Sequence, residues 1–150
     1  MDLPNRKSIR IPGFQYKSAN YYFITICTDR RVNLFGMKDQ LTGSGQIAKS
    51  CLLQIPTHFH NVRIDQYVIM PNHIHAIVAI GPNNTCSLST IIGQFKATVS
   101  KQIHAYYPNV SVWQRSFYDR IIRNDREYQE IWTYIDENPL KWKLDKLYRP

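Results

Sequence analysis

Two strand-length runs, VRIDQYVIM (62–70) and HIHAIVAI (73–80), are separated only by Pro71-Asn72. β-Branched and aromatic residues at this density favour extended backbone, and a two-residue break of turn formers brings the second run back beside the first. The middle of the chain is thereby committed to an antiparallel hairpin. Upstream, NYYFITICT (20–28) has the same character and reads as another strand. Residues 29–43 form a loop ending in the turn-forming LTGSG. From Gln46 to about Phe59, the residues Ile47, Cys51, Leu52, Ile55 and Phe59 recur at helical spacing, and Pro56 should disturb the last turn.

Beyond the breaker GPNNT, Leu88, Ile91, Ile92, Phe95 and Val99 define an amphipathic helix with Ser87 as its cap. Residues 110–122 (VSVWQRSFYDRII) read as extended. A last helix opens at Asn124, with Glu127 as capping-box partner and Tyr128, Ile131, Trp132 and Ile135 as its apolar stripe. It should end at Asn138, because Pro139 disfavours helical backbone in the residue before it. The order is β-α-β-β-α-β plus one helix. That predicts an α+β, ferredoxin-like fold with a four-stranded antiparallel sheet, the third strand internal beside the first. At 150 residues the chain has the size of one domain (1–150), fronted by a basic arm (1–12) with Arg6, Lys7 and Arg10.

Alternation along the third strand puts His73 and His75 on one face with Ile77, and Ile74, Ala76, Val78 and Ile80 on the other. The all-apolar face must pack on helices, which makes the histidine face a partly open polar surface. Two imidazoles roughly 7 Å apart at their backbones can converge on a divalent ion, or they can merely fill the sheet. Spacing alone leaves both open and names no third ligand. A second pair, His58-Phe59-His60, reads as the frayed, solvated end of a helix. In the last helix Tyr134 and Asn138, one turn apart, share the flank between core and surface with Glu127. A packed boundary tyrosine and a C-cap amide account for them as well as chemistry does.

A net charge of +8, from nineteen Lys and Arg against eleven Asp and Glu, together with ten tyrosines, suits a polyanionic partner. Cys27, Cys51 and Cys86 form no CxxC pair and are odd in number, which argues against a disulfide framework or a structural zinc site. There is no apolar run of membrane length and no signal-peptide core, so a cytoplasmic location without a membrane partner is the expectation.

The ordered set YFITICT, YVIMPNHIHAIV, FK, WQRSFYDRIIR and YIDENPLKW resembles the HUH single-tyrosine transposases, in particular the branch of REP-associated tyrosine transposases. The likeness runs from about residue 7 to residue 145, and PNHIH followed by YIxxNP is its specific part. The resemblance implies that His73 and His75 bind Mg²⁺ or Mn²⁺ and that Tyr134 attacks single-stranded DNA to form a 5′-phosphotyrosine. It implies a hairpin or REP-like repeat as the partner, and a monomer or homodimer. Asn138 stands where relatives commonly carry a glutamine as third metal ligand, and Arg120 where many carry a histidine. Arg6, Lys7, Arg10, Lys96, Arg115, Arg120 and Arg123 are candidate DNA contacts. Tyr118 is a rival nucleophile whose aromatic, extended setting favours a packing or stacking role. Two other functions compete: a non-catalytic nucleic-acid-binding ferredoxin-like module, and a hydrolase of small phosphoesters that leaves Tyr134 idle.

Overall fold

A computed structural model describes residues 19–37, 39–83, 86–144 and 147–149. The basic arm with Arg6, Lys7 and Arg10 lies outside these residues. Strand β1 (Asn20–Cys27) is followed by a 3-10 turn (Asp29–Arg31) and a small hairpin, β2 (Gly36–Met37) and β3 (Gln40–Leu41). Then come α1 (Gly43–Leu53), α2 (Ile55–His58), β4 (Val62–Met70), β5 (His73–Ile80), α3 (Leu88–His104), β6 (Tyr118–Ile122) and α4 (Asp125–Glu137). A 3-10 segment, Asn138–Leu144, closes the described run. The main sheet has the order β4-β5-β1-β6, every pair antiparallel, so the third long strand lies inside it next to the first, as the element order predicts. Among the described residues no helix is long and apolar enough to cross a membrane.

Both faces of the sheet are covered. On one, Ile24, Ile26, Ile74, Ala76 and Val78 pack against Ala48 and Leu52 of α1 and against Ile91, Ile92, Phe95 and Val99 of α3. On the other, Tyr21, Ile77, Ala79 and Ile122 meet Tyr128, Ile131 and Ile135, the predicted stripe of α4. The histidine face is therefore not the partly open surface expected from alternation. His73 is 0% and His75 4% exposed, because α4 and the 3-10 segment lie over that face. Alternation assigns a side chain to a face but cannot tell which later element will cover it.

Local departures have local causes. The first helix starts at Gly43, earlier than its apolar spacing suggests, because Thr42 caps it by accepting from the Gly45 amide at 3.1 Å. Gly45 is required there, since a Cβ would come within 2.1 Å of the Phe35 carbonyl oxygen. The predicted 46–59 helix breaks at Gln54, and Pro56 sits in the first turn of α2, where a missing N–H costs nothing. Residues 110–117 are not part of a strand; only an isolated bridge, Thr28 with Trp113, ties that stretch to the sheet's end. The last helix begins as predicted, with Asn124 Oδ1 accepting from the Glu127 amide at 2.9 Å. The Glu127 carboxylate reaches one residue further back than in a capping box, to the Arg123 amide at 2.8 Å. At the other end Asn138 keeps helical backbone (φ −56, ψ −42) despite Pro139, its amide donating to the Ile135 carbonyl. The chain tightens into the 3-10 segment there instead of leaving the helical region.

A buried polar contact fastens α4 to the sheet. The β4–β5 register slips between Ile64 and Gln66, leaving Asp65 as the extra residue of a bulge. Its side chain has no exposure, and its Oδ2 accepts a hydrogen bond from Tyr128 Oη at 2.8 Å, with the Arg63 guanidinium 3.6 Å from Oδ1. Burial pushes the Asp65 carboxyl above the usual carboxylate range, against the opposing pull of Tyr128 and Arg63.

Candidate active site

The site grows from one row of paired residues. His75 lies opposite Thr25 on β1 and Val68 on β4, and Thr25 lies opposite Tyr118 on the edge strand β6. One row away His73 faces Cys27 and Met70, and on the other side Phe23 faces Ile77 and Arg120. Cross-strand partners share a face, so His73, His75, Thr25, Phe23, Tyr118 and Arg120 all belong to the side that α4 covers.

The rings form a continuous chain. The His73 and His75 centroids are 4.6 Å apart. Tyr134 lies 5.4 Å from His75 and 6.1 Å from Phe23, which itself stands 5.2 Å from His75. On the far side His73 is 5.9 Å from Trp142, which meets Tyr148 at 5.0 Å. Tyr134 remains 47% exposed, so its ring is held at the histidine pair while one side faces solvent. The tyrosine helix and the histidine strand, which spacing could not connect, are in contact.

Asn138 lies one turn beyond Tyr134 and four residues before Trp142. Tyr134 and Trp142, four residues to either side of it, touch His75 and His73 respectively. It is 4% exposed, and its Oδ1 accepts no hydrogen bond among the described residues. Both imidazoles are held through Nδ1: His73 by Asn72 Oδ1 at 2.8 Å, His75 by Thr25 Oγ1 at 2.9 Å. Burial, then the neighbouring His75 and Arg31, lowers the His73 pKa to about 3. A ring that stays neutral is the form that ligates metals. Two imidazole nitrogens and one buried amide oxygen suit Mn²⁺, and suit Mg²⁺ where water and phosphate oxygens fill the remaining positions. The donor set fits a divalent ion with open positions.

The other sequence candidates are dispersed. Tyr118 is 64% exposed and stands two strands from His75, roughly 10 Å by strand spacing, whereas the Tyr134 ring is in contact with it. Arg115, Arg120 and Arg123 are exposed on or beside β6. Lys96 is on α3, in the opposite helix layer, and its ammonium donates to the Gln114 and Ser116 carbonyls at 2.9 and 2.8 Å. Through these two bonds it braces that loop. His58 and His60 are exposed around buried Phe59, away from the ring chain. Sequence reasoning missed Phe23, Thr25, Asn72 and Trp142. Thr25 and Phe23 become visible only with the strand register, and Asn72 reads in sequence simply as a turn residue.

Comparison with known proteins gives the family of the chain. The family described as "Transposase IS200 like" matches residues 15–138. A Haemophilus influenzae protein named only as uncharacterized is 36% identical over 168 aligned residues, covering 96% of this chain and 93% of its own. A REP-associated tyrosine transposase of Escherichia coli K12 is 24% identical over 128 residues, covering 85% of this chain and 70% of its own. Among solved structures, a REP-associated tyrosine transposase bound to a REP hairpin superposes with a TM-score of 0.62 at 22% identity, over 94% of this chain and 74% of that one. The chain belongs to the IS200-like transposase family.

Proposed function

We propose that this transposase is a metal-dependent single-strand DNA endonuclease and strand transferase with Tyr134 as its nucleophile. The observation that carries the reading is the contact of the Tyr134 ring with His75, which itself stands against His73. His73, His75 and Asn138 would hold the ion. A bound Mg²⁺ or Mn²⁺ supplies Lewis-acid polarisation of a phosphodiester and neutralises charge that builds on its oxygens. Tyr134 Oη forms the new bond to phosphorus as the bond to the 3′-oxygen breaks. The tyrosyl proton ends on that oxygen, which gives a free 3′-OH and a 5′-phosphotyrosine. The adduct keeps the energy of the broken phosphodiester, so a second 3′-OH can reverse the step and join strands. Phe23, packed against both His75 and Tyr134, sets the angle at which the tyrosine meets the site.

The substrate we propose is single-stranded DNA bearing a hairpin or REP-like repeat, in keeping with the hairpin bound by the structurally similar transposase. Exposed Arg115, Arg120 and Arg123 are its proposed backbone contacts. The test is a covalent adduct on a denaturing gel after incubation with hairpin-bearing single-stranded DNA and Mn²⁺ or Mg²⁺. The adduct should form with wild type and vanish in Tyr134→Phe and in His73→Ala. An adduct that survives Tyr134→Phe and is lost in Tyr118→Phe overturns the nucleophile. Cleavage without adduct points to a hydrolase, and binding without cleavage to a passive module.

A further inference from the structure

We infer that Asn72 is a positioning residue that fixes the tautomer of His73 and aims its Nε2 at the ion site. The inference rests on the proposed metal role of His73. Asn72 is 0% exposed, and its three side-chain contacts leave only one orientation of the amide. Nδ2 faces two backbone carbonyls, those of Leu147 at 2.5 Å and Arg31 at 3.3 Å. Carbonyls only accept, so the NH₂ end must point at them and Oδ1 must face His73. Oδ1 also only accepts, so the His73 Nδ1 that meets it at 2.8 Å must carry the hydrogen. The lone pair of the neutral ring is then on Nε2, the nitrogen that would ligate. Orientation of a metal-binding imidazole through its other nitrogen is a general device. Here it follows from two carbonyls that cannot donate.

The equivalent contact of His75 lacks this logic. Thr25 Oγ1 is a hydroxyl, which donates or accepts, so the 2.9 Å bond to His75 Nδ1 is compatible with either tautomer. Asn72 also joins three separate pieces of chain at His73: the turn ending at Arg31, the β4–β5 hairpin and the C-terminal stretch at Leu147. Its backbone carbonyl accepts independently from the Thr28 amide and hydroxyl at 3.0 and 3.1 Å. Side-chain substitution therefore spares the hydrogen bonds that hold the turn itself.

The experiment reads the ring directly. Long-range ¹H–¹⁵N spectra of the metal-free, histidine-labelled protein at pH 7.5 should show His73 as a single Nδ1–H tautomer. In Asn72→Ala that signature should become mixed, and the Mn²⁺ dissociation constant, measured by electron paramagnetic resonance, should rise by about 10–100-fold. An Nε2–H ring in the wild type overturns the inference without any variant, and unchanged Mn²⁺ affinity in folded Asn72→Ala overturns it too. A wild type with the Nδ1–H ring that binds no Mn²⁺ refutes the metal reading of the site and upholds the hold of Asn72 on the ring.

Discussion

Tyr128→Phe isolates the polar anchor of the helix that carries Tyr134. The substitution removes one oxygen and keeps a ring that is 1% exposed and stands edge-on to Tyr21 at 5.6 Å between centroids. What disappears is the hydroxyl that donates to Asp65 Oδ2 at 2.8 Å. Arg63, 3.6 Å away, remains beside a carboxylate with no side-chain exposure. A hydrogen bond to a charged group contributes about 1.5–3 kcal/mol, and here a buried charge also loses a donor, so a cost of about 2–3 kcal/mol is expected. For a chain of this size that corresponds to a fall of roughly 4–12 °C in Tm.

The loss should depend on pH with a definite sign. Burial already raises the folded pKa of Asp65, and the Tyr128 bond opposes the rise. Without the hydroxyl the folded pKa rises further while the unfolded value stays near the ordinary 3.8. A carboxyl raised on folding contributes stability that is present below its unfolded pKa and lost as pH climbs through the folded one. The deficit should therefore be greatest at pH 8 and shrink toward pH 4.5. Urea unfolding of wild type and Tyr128→Phe at both pH values measures it, and adding Asp65→Asn to the variant should flatten the pH dependence. An equal deficit at both pH values, or one under about 0.5 kcal/mol at pH 8, refutes the anchor.

Three further perturbations have definite outcomes. With a folded pKa of about 3 against an ordinary 6.5, His73 stays neutral while the unfolded chain takes up a proton. The chelated protein should then lose stability as pH falls from about 6.5 toward 3, by on the order of 1.4 kcal/mol per pH unit from this group. His73→Gln should flatten that limb of the urea-unfolding profile, and an unaltered slope sinks the assignment. Gly45→Ala drives a Cβ to 2.1 Å from the Phe35 carbonyl oxygen, so α1 must shift. A cost of about 2 kcal/mol or more is expected from thermal unfolding, and a neutral result contradicts the geometry. Lys96→Met keeps the stem and loses both carbonyl bonds, which should lower stability by about 1–3 kcal/mol. The salt dependence of single-strand binding should stay as it is; a slope reduced by about 0.7 would show that Lys96 contacts a phosphate.

The fold could be read from the chain because each long strand and helix carries its own periodicity, and a single turn, Pro71-Asn72, fixes how two of them meet. Even the partner of the third strand followed from the order of elements. The environment of the histidines did not follow. Whether His73 and His75 face solvent depends on α4 and on Trp142, and although the apolar stripe of α4 is legible, the place where it docks is not marked by any local pattern. The bulge that turns Asp65 toward Tyr128 is one extra residue in β4, indistinguishable in sequence from any other position of VRIDQYVIM. Likewise the choice between Tyr118 and Tyr134 turns on register. In sequence Tyr118 sits in an extended aromatic segment and Tyr134 on a helix boundary; in the fold Tyr118 stands two strands away on an open edge while Tyr134 touches His75. Asn72 is the sharpest case. A turn-forming asparagine needs no further explanation from sequence, so nothing in PNHIH marks its side chain as the contact that decides which nitrogen of His73 carries the proton. Three distant backbone segments must come together before that amide has only one way to point. Local pattern thus specifies which groups are available, while the long-range contacts decide what each can do.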